Sequence, residues 1–341
     1  MRLGVTFTGD VPIPEQRRLA YELESAGLES LWTNDGYGRD PLLLCQAWAD
    51  ATERLTVGVG VAQIPTRTPV QLAKAAVTVQ EASAGRFVLG IGVSQPLALE
   101  SWHGVRAGRP LATAHDALAI LHSIIAGGTT DHDGDELRSR GFQLGISPLP
   151  PPVPVYLGAM RPKMLALAGR EAEGVLLSWE SPEAVGHASE QVYAAAAAAG
   201  RPKPEVAAYV RISIAPDRRD ARRALASEVA EFWKYYANHI ASQAPDPAAM
   251  SAAHAAAQDG PEALAAALSD ELLMTVGWYG STDDDLGPLL ARYRSAGLEH
   301  FIARPITSGD SRVAFREVTA ALASEAGRVP SLRGSPSSQP E

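Results

Sequence analysis

The sequence predicts an α/β protein built as a (β/α)8 TIM barrel, and three observations lead to this fold class. Short apolar runs alternate along the chain with longer segments of helical periodicity. Eight such runs are present, and they are mainly apolar, as in strands that a parallel sheet buries on both faces. The first run, at residues 2–7, lacks the glycine fingerprint expected there in an open, doubly wound nucleotide-binding sheet, so we favour the barrel over that alternative.

The first half of the chain is predicted to contain four strands and the helices between them. The strands are expected at residues 2–7, 28–35, 55–62 and 86–93. The helices are expected at residues 14–27, from Asp40 onward, and at 68–85. Asp40 and Pro41 suit a helix start, because an Asp side chain caps free N–H groups and Pro needs no hydrogen-bond acceptor in the first turn.

The second half repeats the alternation with two interruptions. Residues 111–126 are predicted to be helical, and residues 129–145 are predicted to form a hairpin around an Asp-Gly turn. Further strands are expected at residues 154–159, 173–179, 205–215 and 299–306, with helices at 161–169, 182–200, 282–296 and up to about 326. A helical segment is inserted near residues 217–272. We expect one domain over residues 1–326 and a disordered tail over 327–341.

Composition and charge limit the possible partners. The chain has 341 residues and a net charge of -9, without a cluster of Lys and Arg, which argues against binding nucleic acid. Its one cysteine, Cys45, excludes an internal disulfide and a cysteine-based zinc site. No apolar run approaches the roughly 20 residues of a membrane span. We therefore expect a cytoplasmic protein that acts on a small molecule and contacts no membrane.

A metal site is not expected either. The segment "DHDGDE" at residues 131–136 contains clustered acidic side chains, as a calcium-binding loop does. Its glycine is misplaced for an EF-hand, and no Glu closes the loop at the twelfth position.

Barrel enzymes carry their active site at the C-terminal ends of the strands, which limits where functional residues are expected. In this chain those ends fall at residues 7–8, 33–37, 60–65, 92–95, 158–161, 178–179, 213–214 and 304–305.

Three stretches resemble the bacterial luciferase-like superfamily of flavin- and deazaflavin-dependent oxidoreductases. They are "LESLWTNDGYGRDP", "LTVGVGVAQIPTRTPVQLAKAAVTVQEASAGRFVLGIGVS" and "PVYLGAMRPKMLALAGREAEGVLLSW". The third is most similar to the branch that uses coenzyme F-420. The resemblance implies a TIM barrel, F-420 as the cofactor with FMN as the alternative, and a homodimer formed through helices next to the early strands.

Glycines near two strand ends are expected to make room for the cofactor. Gly90 and Gly92 lack side chains at the end of the fourth strand, which lets a planar ring approach the backbone, although barrel curvature or tight helix packing explains the same glycines. The resemblance implies a cis peptide bond at Gly60-Val61 or one bond later, which forms a bulge behind the ring. The cofactor residues expected along these two strands are Gly60, Val61, Ala62, Gln63, Gly92, Ser94 and Gln95.

A phosphate site is predicted where the fifth strand meets a helix. Gly158, Ala159 and Met160 would present backbone N–H groups at the helix N-terminus, and Arg161 and Lys163 would add positive charge. An ordinary strand-to-helix turn with surface cations is the alternative. By resemblance, the three backbone residues contact the phosphate of the cofactor.

Asp35, Tyr37 and His103 are the candidate catalytic residues. Deazaflavin enzymes of the family usually place an Asp-His pair beside the reactive carbon, and Asp35 occupies the first position of that pair as well as contacting the cofactor. Gly36 replaces the histidine, so Tyr37 is the candidate proton donor and His103 is a possible substitute. A turn-forming role for Asp35 and a surface position for His103 remain open.

Three further residues are candidates for binding substrate. Trp102 is expected together with His103 on a loop beyond the fourth strand. Trp179 ends the sixth strand, where it walls the pocket or only packs in the core. Arg304 ends the eighth strand and is expected to hold an anionic group.

These expectations combine into one leading hypothesis and two alternatives. The leading one is an F-420-dependent oxidoreductase that reduces a C=C, C=N or C=O bond, because the histidine base of alcohol-oxidising relatives is missing. The first alternative is an FMN-dependent monooxygenase, which uses reduced flavin and O₂ and needs a flavin reductase as partner. The second is a barrel with a decayed cofactor site that acts as a cofactor-free enzyme or a binding protein.

Overall fold

The computed structural model describes residues 1–7, 9–244 and 246–328, apart from the side chains of Leu97, Ala98 and Arg328. The predicted tail, residues 327–341, lies almost entirely outside the described residues, as do Thr8 and Pro245. The division into one domain and a tail therefore stays a prediction.

Four strands with intervening helices open the barrel, as the sequence predicts. The strands are β1 (Arg2–Thr6), β2 (Ser30–Thr33), β3 (Thr56–Gln63) and β4 (Phe87–Gly92). The helices are α1 (Ile13–Ser25), α2 (Pro41–Ala49), α3 (Pro69–Ala82) and α4 (Pro96–His103), with a short 3-10 helix at Ile64–Thr66 before α3. The Asp40 carboxylate caps α2 by accepting hydrogen bonds from the N–H groups of Leu42 and Leu43 at 3.0 and 3.2 Å.

A helix and a small hairpin separate the two halves of the barrel. Helix α5 (Pro110–Ile125) is followed by β5 (Asp131–Asp133) and β6 (Arg138–Arg140), which pair antiparallel. The Asp116 carboxylate on α5 accepts hydrogen bonds from the N–H groups of Glu136 and Leu137 at 2.7 and 2.9 Å, which fixes the hairpin to the helix. The predicted hairpin is thus confirmed, and its acidic residues have structural partners.

The second half continues with strands, helices and the inserted segment. First come β7 (Val155–Gly158), α6 (Pro162–Glu171), β8 (Gly174–Ser178), α7 (Pro182–Ala198) and β9 (Glu205–Ile214). The predicted insertion consists of α8 (Arg218–Ala241), α9 (Pro247–Ala256), a 3-10 helix at Ala257–Asp259, α10 (Pro261–Ala267) and α11 (Asp270–Val276). The chain returns through β10 (Gly277–Gly280), α12 (Gly287–Ser295), β11 (His300–Pro305) and α13 (Ser311–Arg328).

Eight parallel strands close the barrel in the order β1-β2-β3-β4-β7-β8-β9-β11, and β11 pairs with β1. Strand β9 extends beyond the closed ring. Its residues 205–209 pair with β8, and residues 211–214 pair with β10 on the same edge, because β11 occupies the other edge along 207–212. The sequence analysis does not predict β10, which is short and directly follows a helix. It connects the inserted helices to the open end of the barrel.

Side chains fill the closed part of the barrel in layers, as the pleat of β9 illustrates. Alternate residues of this strand point inward. Glu205 lies at the N-terminal end, Ala207 packs in an interior cluster with Trp32, and Tyr209 and Arg211 line the C-terminal opening. The strand β9 therefore passes through three levels of the barrel. We call the polar N-terminal end around Glu205 the floor and the open C-terminal end around Arg211 the mouth, and an apolar layer lies between them.

The polar floor is a half-buried hydrogen-bond network around Glu205. Its carboxylate accepts hydrogen bonds from Arg2 Nη2 at 2.5 and 2.8 Å and from the Tyr156 hydroxyl at 2.6 Å, and His300 Nδ1 lies 3.2 Å away. Burial alone would raise the pKa of Glu205, but the hydrogen bond with His300 and the charge of Arg2 hold it at about 2. The carboxylate is therefore ionised throughout the physiological range.

One segment beyond β4 differs from the sequence prediction. Trp102 and His103 were expected on a loop but form the last turn of α4. Pro96 occupies the first helical position, and Gly104, with a φ of 63°, ends the helix.

Within the described residues, no helix combines the length and the apolar character that crossing a membrane requires.

We expect Glu205→Gln to lower the free energy of unfolding by about 1–3 kcal/mol, because the half-buried Arg2 guanidinium and the fully buried His300 lose a charge-assisted hydrogen-bond partner. Denaturant unfolding at pH 7 measures this. Glu183→Gln is the matched control, since Glu183 pairs with Arg292 on the surface and its loss should cost less than about 1 kcal/mol. The Glu205 contribution is present above its unfolded-state pKa of about 4.3 and is lost as the pH falls toward 2. Equal losses in the two variants would contradict the role of the floor network.

Candidate active site

The C-terminal ends of the barrel strands surround a cavity of about 1230 Å³, one side of which is formed by aromatic residues of α8. The residues predicted from the sequence that line it are Asp35, Tyr37, Gly60, Val61, Gln63, Gly92, Ser94, Gln95, Trp102, Gly158, Ala159, Met160, Trp179 and Arg304. Two predicted residues are not in the lining, because the Ala62 side chain is fully buried and His103 is exposed on the outer end of α4. A smaller cavity of about 190 Å³ adjoins the first at Arg304.

A bulge in β3 forms part of the cavity wall. The peptide bond between Gly60 and Val61 is cis, and the pairing of β3 with β4 shifts between Val59 and Ala62. As a result the Val61 side chain is half-buried and faces the cavity, in a strand whose neighbouring residues are buried.

The glycines of β4 and β7 are explained by this bulge. A Cβ atom at Gly92 would lie 2.5 Å from a Val61 methyl group, and one at Gly158 would lie 3.1 Å from the other. A Cβ atom at Gly90 would collide with the main-chain oxygen of Val59 and lie 2.5 Å from a Leu176 methyl group, and Gly90 does not line the cavity. Gly92 and Gly158 thus make room for Val61, and Gly90 makes room for the packed barrel interior.

Asp35 is fixed at the edge of the cavity by its hydrogen bonds. Its carboxylate accepts from Arg67 Nε at 3.1 Å and from the Gln63 N–H at 3.3 Å, and its main-chain oxygen accepts from the Gln63 amide at 2.5 Å. Arg67 also donates to Asp40 at 2.7 Å. These bonds join the end of β2 to the bulged end of β3, so Asp35 positions the cavity wall.

Tyr37 and Trp102 form an aromatic pair at the rim of the cavity. Their ring centroids are 4.8 Å apart, although one follows β2 and the other lies on α4. Tyr37 is 78% exposed and Trp102 is 49% exposed, so both rings keep a free face. The pair brings a phenol hydroxyl to the entrance, where solvent can replace its proton.

The turn between β7 and α6 offers fewer backbone donors than the sequence suggests. The Ala159 N–H already donates to the main-chain oxygen of Leu176 at 3.2 Å, so it is not available for a phosphate. The N–H groups of Met160 and Arg161 make no backbone hydrogen bond within the described residues. Together with the Arg161 and Lys163 side chains, which line the cavity, they can bind an anion at the N-terminus of α6.

Two residues at strand ends adopt a left-handed backbone conformation. Ser94 after β4 has a φ of 60°, and Trp179 after β8 has a φ of 65°. Such values are uncommon outside glycine, and residues held in them gather at binding sites. Both residues line the cavity, which supports its assignment as the functional site.

Several buried polar atoms around the cavities lack a partner within the described part of the chain. Six of ten such atoms belong to residues that line one of the two cavities, namely Gln16, Gln63, Tyr209, Arg211 and Glu228. Buried polar groups in proteins are almost always hydrogen-bonded to protein or ordered water, so these atoms mark where a ligand or water can complete hydrogen bonds. Burial raises the pKa of Tyr209 well above its usual range, which keeps its hydroxyl a donor.

The sequence analysis missed Tyr209 and Arg211, although a signal was present. Both lie in "YVRIS", where a strand that is otherwise apolar carries a cation. A charged side chain in such a strand faces either a partner or a cavity.

Within the described residues, no group of three His, Cys, Asp or Glu side chains is placed to hold a metal ion.

We expect Gly92→Ala to destabilise the protein by about 1–3 kcal/mol, because the added methyl group collides with Val61. The double variant Gly92→Ala with Val61→Ala should recover part of this loss, since it removes the colliding methyl groups. Denaturant unfolding of the two single variants and the double variant gives the coupling energy directly. Strictly additive losses would mean that Gly92 does not accommodate the bulge.

Comparisons with known proteins agree with this geometry. The family model of the luciferase-like monooxygenases matches residues 1–300. The chain is 31% identical to the 5,10-methylenetetrahydromethanopterin reductase of Methanolobus tindarius, over 66% of this chain and 69% of that protein. It is 30% identical to a putative coenzyme F-420-dependent oxidoreductase of Mycobacterium tuberculosis, over 65% of this chain and 69% of that one.

A solved structure has the same fold. The coenzyme F-420-dependent tetrahydromethanopterin reductase from Methanopyrus kandleri superimposes with a TM-score of 0.80 at 20% identity, covering 94% of this chain and 97% of that one. The closed parallel barrel, the bulged strand and the match of the family model over most of the sequence lead to one conclusion. This chain belongs to the family of the luciferase-like monooxygenases.

Proposed function

We propose that this protein is an oxidoreductase that uses the deazaflavin coenzyme F-420 for hydride transfer to a small organic substrate. The observation that carries the proposal is the cavity itself, which has the Val61 bulge on one side and the cationic N-terminus of α6 on another. The relative from Mycobacterium tuberculosis and the solved structure from Methanopyrus kandleri, both named for coenzyme F-420, support the choice of cofactor.

The residues present fit such a cofactor. The half-buried Val61 would contact one face of the ring, and Gly92 makes room for the Val61 side chain in that position. Ser94, Gln95 and the unpartnered Gln63 oxygen supply hydrogen-bonding groups. The N–H groups of Met160 and Arg161, with the Arg161 and Lys163 side chains, would hold the phosphate. When bound, the deazaflavin supplies a ring carbon that gives or accepts a hydride.

The protein's own contribution is positioning, shielding and proton supply. Asp35, bound to Gln63 and Arg67, holds the wall against which the ring lies. Phe232, Tyr235 and Tyr236 of α8 line the opposite side and exclude water there. We propose reduction of a C=C, C=N or C=O bond, because Gly36 leaves no histidine base and Tyr37 can donate a proton at the entrance.

An FMN-dependent monooxygenase is the second candidate. The family takes its name from monooxygenases, and the same wall and phosphate turn suit a flavin. Such an enzyme needs reduced FMN from a separate reductase and couples O₂ consumption to product formation. A deazaflavin has carbon in place of the reactive ring nitrogen and reacts poorly with O₂, so oxygen uptake distinguishes the two candidates. A protein with a decayed cofactor site would bind neither cofactor.

The homodimer implied by the family also stays a proposal. Leu43 on α2 is 69% exposed and Tyr21 on α1 is 61% exposed, so apolar side chains occur on the early helices where the interface is expected. Such isolated exposures support the proposal without defining a surface.

The first test is a titration of the purified protein with oxidised F-420 and, separately, with FMN, followed by tryptophan fluorescence. We expect saturable quenching by F-420 and little response to FMN, with Trp179 as a reporter inside the cavity. Replacing Arg161 and Lys163 together by Gln should weaken F-420 binding about tenfold or more, because each cation contributes a charge-assisted contact to the phosphate.

The control is Arg170→Gln, which removes one positive charge from the exposed far end of the same helix, α6. It should leave the dissociation constant unchanged. Preference for FMN would move the assignment to the monooxygenase, and no response to either cofactor would favour the decayed site.

A second test concerns the proton. We expect Tyr37→Phe to lower turnover about 100-fold while the dissociation constant of F-420 stays within about twofold, because general acid catalysis contributes on this scale. Tyr235→Phe is the control, since Tyr235 also lines the cavity but lies on α8. Single-turnover kinetics with reduced cofactor and unsaturated, imine and ketone substrates measure the effect. Equal turnover in wild type and Tyr37→Phe would remove Tyr37 from the mechanism.

A further inference from the structure

Arg211 is a buried cation whose hydrogen-bonding capacity is largely unused. Its side chain is 4% exposed, lines the large cavity and lies over the Trp179 ring, with Cζ 3.1 Å from the ring centroid. Its Nε and Nη1 atoms make no hydrogen bond within the described residues. Burying a guanidinium with two unpaired nitrogens costs free energy. A ligand that accepts hydrogen bonds from these nitrogens would offset that cost.

Arg304 lies directly beside Arg211. The two residues are register partners on the adjacent strands β9 and β11, so their side chains point to the same face. Arg304 also lines the cavity, and its side chain is 22% exposed. Two guanidiniums therefore meet at one point of the cavity wall.

Glu228 of α8 is the acidic neighbour of both. Its Oε1 atom lies 3.8 Å from Arg211 Nε and 3.3 Å from Arg304 Nη2, and neither approach has hydrogen-bond geometry. One carboxylate beside two guanidiniums leaves a net charge of about +1. Burial, and then the neighbouring charge of Arg304, lower the pKa of Arg211 to about 9, so it is mainly charged at pH 7.

Aromatic rings surround the two cations. Trp179 and Tyr236 stack with centroids 5.0 Å apart, and Phe232 lies 5.9 Å from Trp179 and 6.0 Å from Arg304 Cζ. All of these rings line the cavity. An anion bound here would carry a planar apolar group that packs against them.

We propose that Arg211 and Arg304 bind the carboxylate of a substrate whose body is planar and apolar, such as an aryl or conjugated carboxylate. The net charge of about +1 matches a monoanion better than a phosphate dianion, and N–H donors of two neighbouring guanidiniums can serve the two oxygens of a carboxylate. The proposal rests on the proposed function in taking the ligand as the substrate. Binding of the anion itself does not require the cofactor.

Calorimetric titration of the cofactor-free protein with benzoate, benzamide and phenyl phosphate tests the site. We expect benzoate to bind at least about tenfold more tightly than the other two, because only benzoate combines the right charge with the ring. Equal binding of benzamide would overturn the proposal, since it would show that charge does not contribute. Tighter binding of phenyl phosphate would overturn the assignment to a monoanion.

Variants locate the binding. Arg211→Gln and Arg304→Gln should each weaken benzoate binding about tenfold or more. Arg39→Gln is the control, because Arg39 also lines the cavity but pairs with the exposed Asp10 at its rim. Unchanged affinity in both Arg211→Gln and Arg304→Gln would refute the site. If circular dichroism shows that Arg211→Gln is unfolded, the benzoate affinity of Arg304→Gln alone tests the site, because Arg304 is partly exposed.

The F-420 titration on the same preparations separates the two proposals. Benzoate binding that depends on Arg211, in a protein that binds no F-420, would keep the anion site and reject the proposed cofactor. F-420 binding without a charge preference for benzoate would keep the oxidoreductase and reject the carboxylate substrate.

Discussion

The structure depends on how the inside of the barrel is filled, and Trp32 is the residue that fills its middle. The ring is fully buried and packs against Tyr156, Tyr209 and His300, with centroids 5.7–6.4 Å away. A Cβ atom at Gly58 would lie 2.5 Å from the ring, so the neighbouring strand has no side chain there. This packed layer separates the charged floor from the open cavity, as side-chain layers do in barrels of this kind.

Above that layer, the shape of the site follows from one bulge. The β3 strand turns Val61 toward the cavity, and the neighbouring strands accommodate it with Gly92 and Gly158. Asp35 holds the bulged end through Gln63. The wall is thus built from rigid strand ends, each fixed by a neighbour, which is the condition for holding a flat ligand in a defined orientation.

The barrel and the position of its cavity could be predicted from the sequence, whereas short elements and contacts between distant strands could not. Buried parallel strands are continuous apolar runs, so the eight barrel strands were recognisable, as was the hairpin around the glycine at 134. Short elements such as β10 and α4 carry little periodic signal. Gly92 and Gly158 indicated the correct strand ends from the sequence. Their contact with Val61 could not be predicted, because it joins residues that are distant along the chain. For the same reason Ala159 looked like a free donor until its bond to Leu176 was visible.

The two ends of the barrel differ in how completely their charged side chains are hydrogen-bonded. At the floor, the Glu205 carboxylate accepts several hydrogen bonds from Arg2 and Tyr156, and this network stabilises the fold. At the mouth, Arg211 and Glu228 are buried close together without completing hydrogen bonds. Burying an incompletely paired guanidinium destabilises a protein by several kcal/mol unless something else satisfies it. The same strand, β9, carries Glu205, which has several hydrogen bonds, and Arg211, whose Nε and Nη1 have none within the described residues. This contrast supports the proposal that the carboxylate of a substrate completes the hydrogen bonding of Arg211.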